Sequence, residues 1–315
     1  MASHVDTFSS TLILPRDSPT VRLPLLFYCK LDRLANKGIR VYSTNKTWLE
    51  SVFPPSLQSS LCATIVDTRK ESDIEFAVAD GRVRIYQFNE MVSNHIGSLM
   101  RKDADCDDVT TIRAIVKASL HFYHNLCRKP PCQFEGVHME LYKLSATMTE
   151  EFDQVFKTDG ENILTEEPVT MVVDEDVPMG VTIYNNSDRD LYPYLFYFDP
   201  SELTIGGSYL PAIGAGKNAQ TTKVDAPLPA RLALAIGHGD GGATPWSFLL
   251  PPGVKKDLGF FRLFLSTRPA SFESILQEES PFSGILSRSM QSQVVQDDFL
   301  EDDGWSVQTV TMIQV

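Results

Sequence analysis

In the second half of the chain, apolar side chains recur in runs of strand length separated by turn residues. The runs are Val169 to Val173, Met179 to Asn185, Leu191 to Phe198, Arg231 to Gly237, Trp246 to Leu250, Leu258 to Ser266 and Trp305 to Val315. No helix-length amphipathic pattern interrupts the first six. Residues 165–315 are therefore expected to form an all-β antiparallel sandwich, Ig-like or jelly-roll-like. The run Leu191 to Phe198 alternates, with Tyr192, Tyr194, Phe196 and Phe198 on one face and Leu191, Leu195 and Tyr197 on the other. Both faces need cover. Pro193 cannot donate to a ladder, so this run starts at a sheet edge or carries a bulge.

The first half has a different pattern. Short β-like runs at Gly38 to Ser43, Ala63 to Val66, Ile74 to Val78, Arg82 to Phe88 and Val137 to Leu144 surround one clear helix. Residues 21–164 thus read as an α+β domain, preceding the all-β one. The helix, near residues 108–128, opens on the N-cap Asp108 and ends before Pro130-Pro131. Val109, Ile112, Val116, Ser119, Tyr123 and Leu126 fall at spacings of three and four on one stripe that should pack on the sheet. Asp105, Asp107 and Asp108 gather at its positive end, Arg128 and Lys129 at its negative end. Residues 1–20, rich in Ser and Thr, read as a flexible lead-in. The acidic stretch Thr149 to Glu167 reads as a helical turn and linker, placing the domain boundary near Thr165.

Composition narrows the partners. At 315 residues the chain can hold two cores, each of roughly 150 residues. Its 28 Lys and Arg stand against 41 Asp and Glu, a balance that repels nucleic acid and anionic membrane alike. The apolar run Leu23 to Cys29 is too short to span a bilayer, contains Pro24 and lacks the flanks of a secretory signal. The five cysteines are odd in number and all lie before residue 133, which fits free thiols and a cytoplasmic location.

Leu191 to Asp199 with the following Pro200-Ser201-Glu202-Leu203-Thr204-Ile205 resembles a region downstream of the caspase-like peptidase domain in basidiomycete fungal proteins. The resemblance continues at Tyr209-Leu210-Pro211, Ile236 to Gly242, Gly259 to Thr267, Gln277 to Phe282 and the closing Trp305 run. In the first half, Ser72-Asp73-Ile74 and Leu120 to Arg128 are similar to the segment between peptidase and sandwich. Roughly residues 20–315 correspond to this post-peptidase accessory region, and the peptidase itself is not among them. The resemblance implies a caspase-associated accessory module rather than a protease.

Several constellations are candidates for chemistry. His238 precedes Gly239 at the end of a strand-like run, as the catalytic His does in caspase-like enzymes, but no cysteine follows it in the chain. A glycine-rich turn is the simpler reading. His121, His124, Cys127 and Cys132 have zinc-ligand types and close spacing, although the first three spread over about 120° of helix surface. Asp297, Asp298, Glu301, Asp302 and Asp303 form an acidic run without the alternation of a calcium loop. The Leu191 to Phe198 aromatics and Trp246 would stack on sugar if displayed, and are core if not. No nucleotide or cofactor motif occurs in its required context, so no cofactor is expected.

The expectation is a non-catalytic interaction or regulatory module that binds a protein partner or forms a homo-oligomer. The alternatives are an enzyme whose site joins His238, Asp240, His121 and His124 at the domain junction, and a lectin-like carbohydrate binder.

Overall fold

The period-two runs become strands nearly where the pattern places them, and the apolar faces sort them into layers. The computed structural model describes residues 38–150, 152–211, 226–239, 244–270, 272–283 and 304–315. The lead-in 1–20, Asp240 and the acidic run from Asp297 to Asp303 lie outside the described residues.

The first layer contains β1 (Ile39–Tyr42), α1 (Lys46–Val52), α2 (Pro55–Leu61), β2 (Ala63–Ile65), β3 (Ile74–Ala79), β4 (Arg82–Gln87), α3 (Glu90–Ile96) and β5 (Ala104–Asp105). Their sheet has the order β2-β1-β3-β4-β5. β1 is parallel to both β2 and β3, and the remaining pairs are antiparallel. The sequence pattern does not show the three short helices, because at seven residues each they carry no sustained stripe. Local chemistry starts them instead: the Asn45 and Asn89 side chains accept from Trp48 and Met91 amides, and Pro55 opens α2.

Helix α4 (Val109–Leu126) is the long helix expected from the pattern, and the Asp108 carboxylate accepts from the Thr111 amide at 3.0 Å. That bond holds the Asp108 carboxyl below the usual carboxylate range. The expected stripe is only part of what α4 buries. Ile112, Ile115, Val116, Ala118, Phe122 and Leu126 all lie in one core, together with residues from layers on both sides of the helix.

The remaining strands are β6 (Val137–Met148), β7 (Gln154–Asp159), β8 (Val169–Met171), β9 (Met179–Asn185), β10 (Tyr192–Asp199), β11 (Thr204–Tyr209), β12 (Ala233–Ile236), β13 (Asp257–Ser266) and β14 (Trp305–Gln314). They form a central sheet, β11-β10-β13-β14-β8, and an outer sheet, β12-β9-β6-β7. Most pairs are antiparallel; β14 and β8 are parallel. The described chain is mostly β, as the pattern requires.

The central sheet is apolar on both faces. Tyr194, Phe196 and Phe198 of β10, with Phe260 and Phe264 of β13, share a core with α4 and the first sheet. Leu195, Phe261, Leu263 and Leu265 point the other way, into a core shared with Leu141, Val181 and Ile183 of the outer sheet. Phe122 of α4 meets Phe198 edge-on at 5.5 Å between ring centres. Burying aromatics on this scale is the main cohesive force between layers.

Three expectations change. The stretch after Thr149 is not a helical turn and linker: it contains β7, which pairs antiparallel with β6 from Lys143 to Met148. Strand pairing also crosses the boundary expected near Thr165, because β6 pairs with β9 from Val137 to Lys143. The cores divide by layer and not by position along the chain, and Lys37–Val315 forms one compact unit. Trp246 to Leu250 is not a strand. Pro245 and Pro251-Pro252 bracket it, and it keeps one bridge, in which Trp246 and Met179 exchange backbone bonds at 2.7 and 2.9 Å. Among the described residues, no helix is long and apolar enough to cross a membrane.

Candidate functional site

His238 follows β12 on the exposed face of the outer sheet. Its Nδ1 lies 3.3 Å from the Ile236 carbonyl, an obligate acceptor, so in the neutral ring Nδ1 carries the proton. Nε2 is then left to accept from the Thr182 hydroxyl at 3.0 Å. Burial pushes the imidazole pKa below its ordinary value. Gly180 makes room for the ring, since a Cβ there would stand 2.5 Å from Nδ1. A hydroxyl on an oriented imidazole has the form of a nucleophile and base. Thr182 is only 7% exposed, however, so its oxygen is shut away from a substrate carbonyl. The pair ties β9 to the strand end.

The same face carries His138, Glu140 and Tyr142 on β6 and Tyr184 on β9. His138 and Tyr184 are cross-strand partners whose rings stack at 4.8 Å and 10°. The Tyr142 hydroxyl donates to Glu140, which holds it above the usual phenol range. Glu140 also stands 3.8 Å from His138.

The zinc pattern does not converge. His121 Nε2 faces the Ile275 carbonyl at 3.0 Å, while Cys127 Sγ sits 3.4 Å from Asn89 Nδ2. Cys132 Sγ lies 3.4 Å from the Trp305 carbonyl. His124 is half-buried on the same helix, near its C-terminus. Among the described residues, the only three ligand atoms within reach of one ion belong to Asp105, Cys106 and Asp107, whose two carboxylates are exposed. The four described cysteines are free thiols.

The composite enzyme site is likewise not assembled. His121 lies on α4, on the first-sheet side of the central sheet, whereas His238 lies on the exposed face of the outer sheet. Two sheets stand between them, stacked about 10 Å apart. The aromatics offered for sugar stacking are core: Tyr194, Phe196 and Phe198 are buried, and Trp246 packs against Phe261 at 5.5 Å.

What the sequence pattern does not show is a projecting ribbon. β6 has ladder partners on both sides at Lys143, and the Leu144 amide still donates to the Pro178 carbonyl at 2.8 Å; past Leu144, β6 continues with β7 alone. At the tip, Thr149 closes the loop by accepting from Asp153 through its hydroxyl and from Phe152 through its carbonyl, each at 3.1 Å. Phe152 takes a left-handed backbone at φ +66°, uncommon for a bulky residue. Its ring is displayed, with Phe152 83% and Met148 62% exposed. At the root of the ribbon, between the ends of the two sheets, is a groove of about 250 Å³ lined by Ile163, Met171, Val173, Val177, Met179 and Phe248. Lys143 and Asp174 bring charge to it, and Val172 on its wall is 75% exposed. The groove falls below the roughly 300 Å³ at which small-molecule sites begin and suits a single side chain better.

Comparison with family models, with curated proteins and with solved structures finds no match.

Proposed function

We propose that the chain is a non-catalytic interaction module that docks onto a protein through the ribbon of β6 and β7. The display of Phe152 carries this reading. A buried aromatic contributes to a core, and a solvated one at a strained position does not, so its display at a ribbon tip points to a use outside the fold. Phe is also among the residues enriched at protein interfaces.

The finer architecture supports the same reading. An α+β layer followed by an antiparallel sandwich would leave His121, His238, Cys127 and Cys132 in local contacts, with no cleft among the described residues in which they meet. The likeness to the accessory region of fungal caspase-like proteins fits a module that acts beside an enzyme instead of as one. Free thiols at Cys62, Cys106, Cys127 and Cys132 support a cytoplasmic location.

A photoreactive phenylalanine analogue at position 152, introduced during expression in cells, tests the proposal. Irradiation is expected to give a discrete protein adduct, while the same analogue at Arg84, exposed on β4 of the first sheet, gives none. If position 152 captures no more than position 84 does, the ribbon is not a docking element.

A further inference from the structure

The ribbon ends the outer sheet on an open strand edge. Of the strands that end the three sheets, β2, β5, β8 and β12 are four residues or shorter among the described residues. β11 is closed on its outside, where Ile205 and Gln277 exchange backbone bonds at 2.8 and 3.0 Å. β7 is six residues long, pairs with β6 without a register shift and, among the described residues, has no strand on its other side. We infer that the docked partner adds a strand there: the ribbon takes an extended peptide segment that lies antiparallel to β7 and carries an apolar centre between basic ends. This rests on the ribbon being a docking element and names the chemistry of what it takes.

The ladder fixes which backbone groups are on offer. In an antiparallel pair, partners that exchange bonds alternate with partners that do not. The Thr149 amide donates to the Asp153 carbonyl at 2.9 Å, so two residues further along each strand Thr147 bonds with Val155, and then Ser145 with Lys157. Gln154, Phe156 and Thr158 therefore turn their N–H and C=O groups away from β6. The Leu144 amide agrees, since it donates to Pro178 and not to its partner Thr158. Unpaired backbone along an unbroken edge selects another backbone in extended form.

Side chains select the segment. Phe156 is half-buried beside its partner Ala146, on the face that also carries Met148, so the residue opposite Phe156 is apolar. On the other face Asp153, Val155, Lys157 and Asp159 follow one another. Residues opposite the two aspartates are basic, the residue opposite Val155 is apolar and the residue opposite Lys157 is acidic. A second copy of β7 does not meet this pattern. Two copies engage all three outward residues only in the register that puts Phe156 opposite Phe156, and that register sets Asp153 of each chain against Asp159 of the other. Each copy also carries a net charge of -13, which repels its like and attracts a basic segment.

Titration of the full chain with the end-capped peptide Arg-Thr-Glu-Val-Val-Thr-Arg, written to run opposite Asp159 through Asp153, tests the inference. Saturable binding is expected. N-methylation at the peptide's second, fourth and sixth residues, which face Thr158, Phe156 and Gln154, removes the donors and should weaken binding at least about tenfold. N-methylation at the third and fifth should leave it unchanged. A peptide that does not bind, or that tolerates both sets alike, overturns the inference, and this arm needs no protein variant. In the protein, Thr158→Pro removes an outward N–H and no bond to β6, while Thr158→Ala keeps both. The first should lose the peptide and the second should keep it. A Thr158→Pro chain that folds and binds as the parent does overturns the inference as well. So does a parent that sediments as a dimer until Thr158→Pro is introduced, because a second copy is then the occupant. Photo-crosslinking from position 152 separates the two levels of the account. An adduct that survives Thr158→Pro ends strand addition and keeps the docking ribbon, and no adduct ends both.

Discussion

The guanidinium of Arg262, at the centre of β13, donates to the carbonyl of Leu126, the last residue of α4. It also donates to the carbonyls of Asn125 and, at 2.8 Å, Arg128. One buried cation thus gathers the orphan carbonyls at the negative end of the helix and joins the α+β layer to the central sheet. Burial pushes its pKa down to about 10, which leaves it charged at neutral pH.

Removing that cation strands several buried carbonyls. Arg262→Leu is expected to lower stability by about 3–5 kcal/mol, as for other broken buried charge contacts. Arg262→Lys should recover less than half, since one ammonium nitrogen cannot stand in both places where Nη1 meets Asn125 and Leu126 and Nη2 meets Arg128. Denaturant unfolding measures both, and a leucine variant within about 1 kcal/mol of the parent would mean the contact is incidental.

Asp199 gives the fold a pH dependence of definite sign. Burial, and then the neighbouring Asp257, raise its pKa to about 6. The folded state therefore binds its proton more tightly than the unfolded chain between about pH 4 and pH 6. Stability should fall as pH rises through that window, by at most about 3 kcal/mol. The Asp199 Oδ1 accepts from the Ser201 and Glu202 amides at 2.8 and 3.2 Å, bonds that an asparagine keeps. Asp199→Asn should flatten the profile in this window and raise stability at pH 7. Thermal melts across pH 4–7 decide, and an unchanged slope in the variant would assign the dependence elsewhere.

Phe152 should be dispensable for folding. Its ring is solvated and its backbone is left-handed, so Phe152→Gly removes strain and almost no burial. Stability is expected to stay level or to rise by about 1 kcal/mol, while association is lost. A clear drop in melting temperature would show that the ring is part of the core after all.

The layers were legible where side-chain pattern alone decides structure. Alternation in Leu191 to Phe198 announced a strand covered on both faces, and the cores now supply the two covers, α4 with the first sheet on one side and the outer sheet on the other. Asp108 announced its helix. The partition into domains was not legible, because pairing between β6 and β9 is a long-range choice that neither strand's own sequence encodes. Close approaches were hidden too. Gly259 must lack a side chain because Tyr197 lies across it, with a Cβ there 1.9 Å from the hydroxyl. The ribbon left a trace that acidic composition masked: Gln154 to Asp159 contains Val155, Phe156 and Thr158, strand formers amid charges. Phe152 itself carries no sequence signal, since an exposed and a buried phenylalanine read alike until the ladder shows where β9 stops.

Excising the ribbon tests the central claim most directly. Leu144 and Thr158 are cross-strand partners, so an Asn-Gly turn can replace residues 145–157 and close the hairpin at that pair. Co-purification from cells is the measurement, with the parent chain alongside. A shortened chain that folds, keeps the three sheets and loses the protein that the parent carries is the predicted result. A shortened chain that still carries it would contradict the account, because the contact would then lie elsewhere on the molecule.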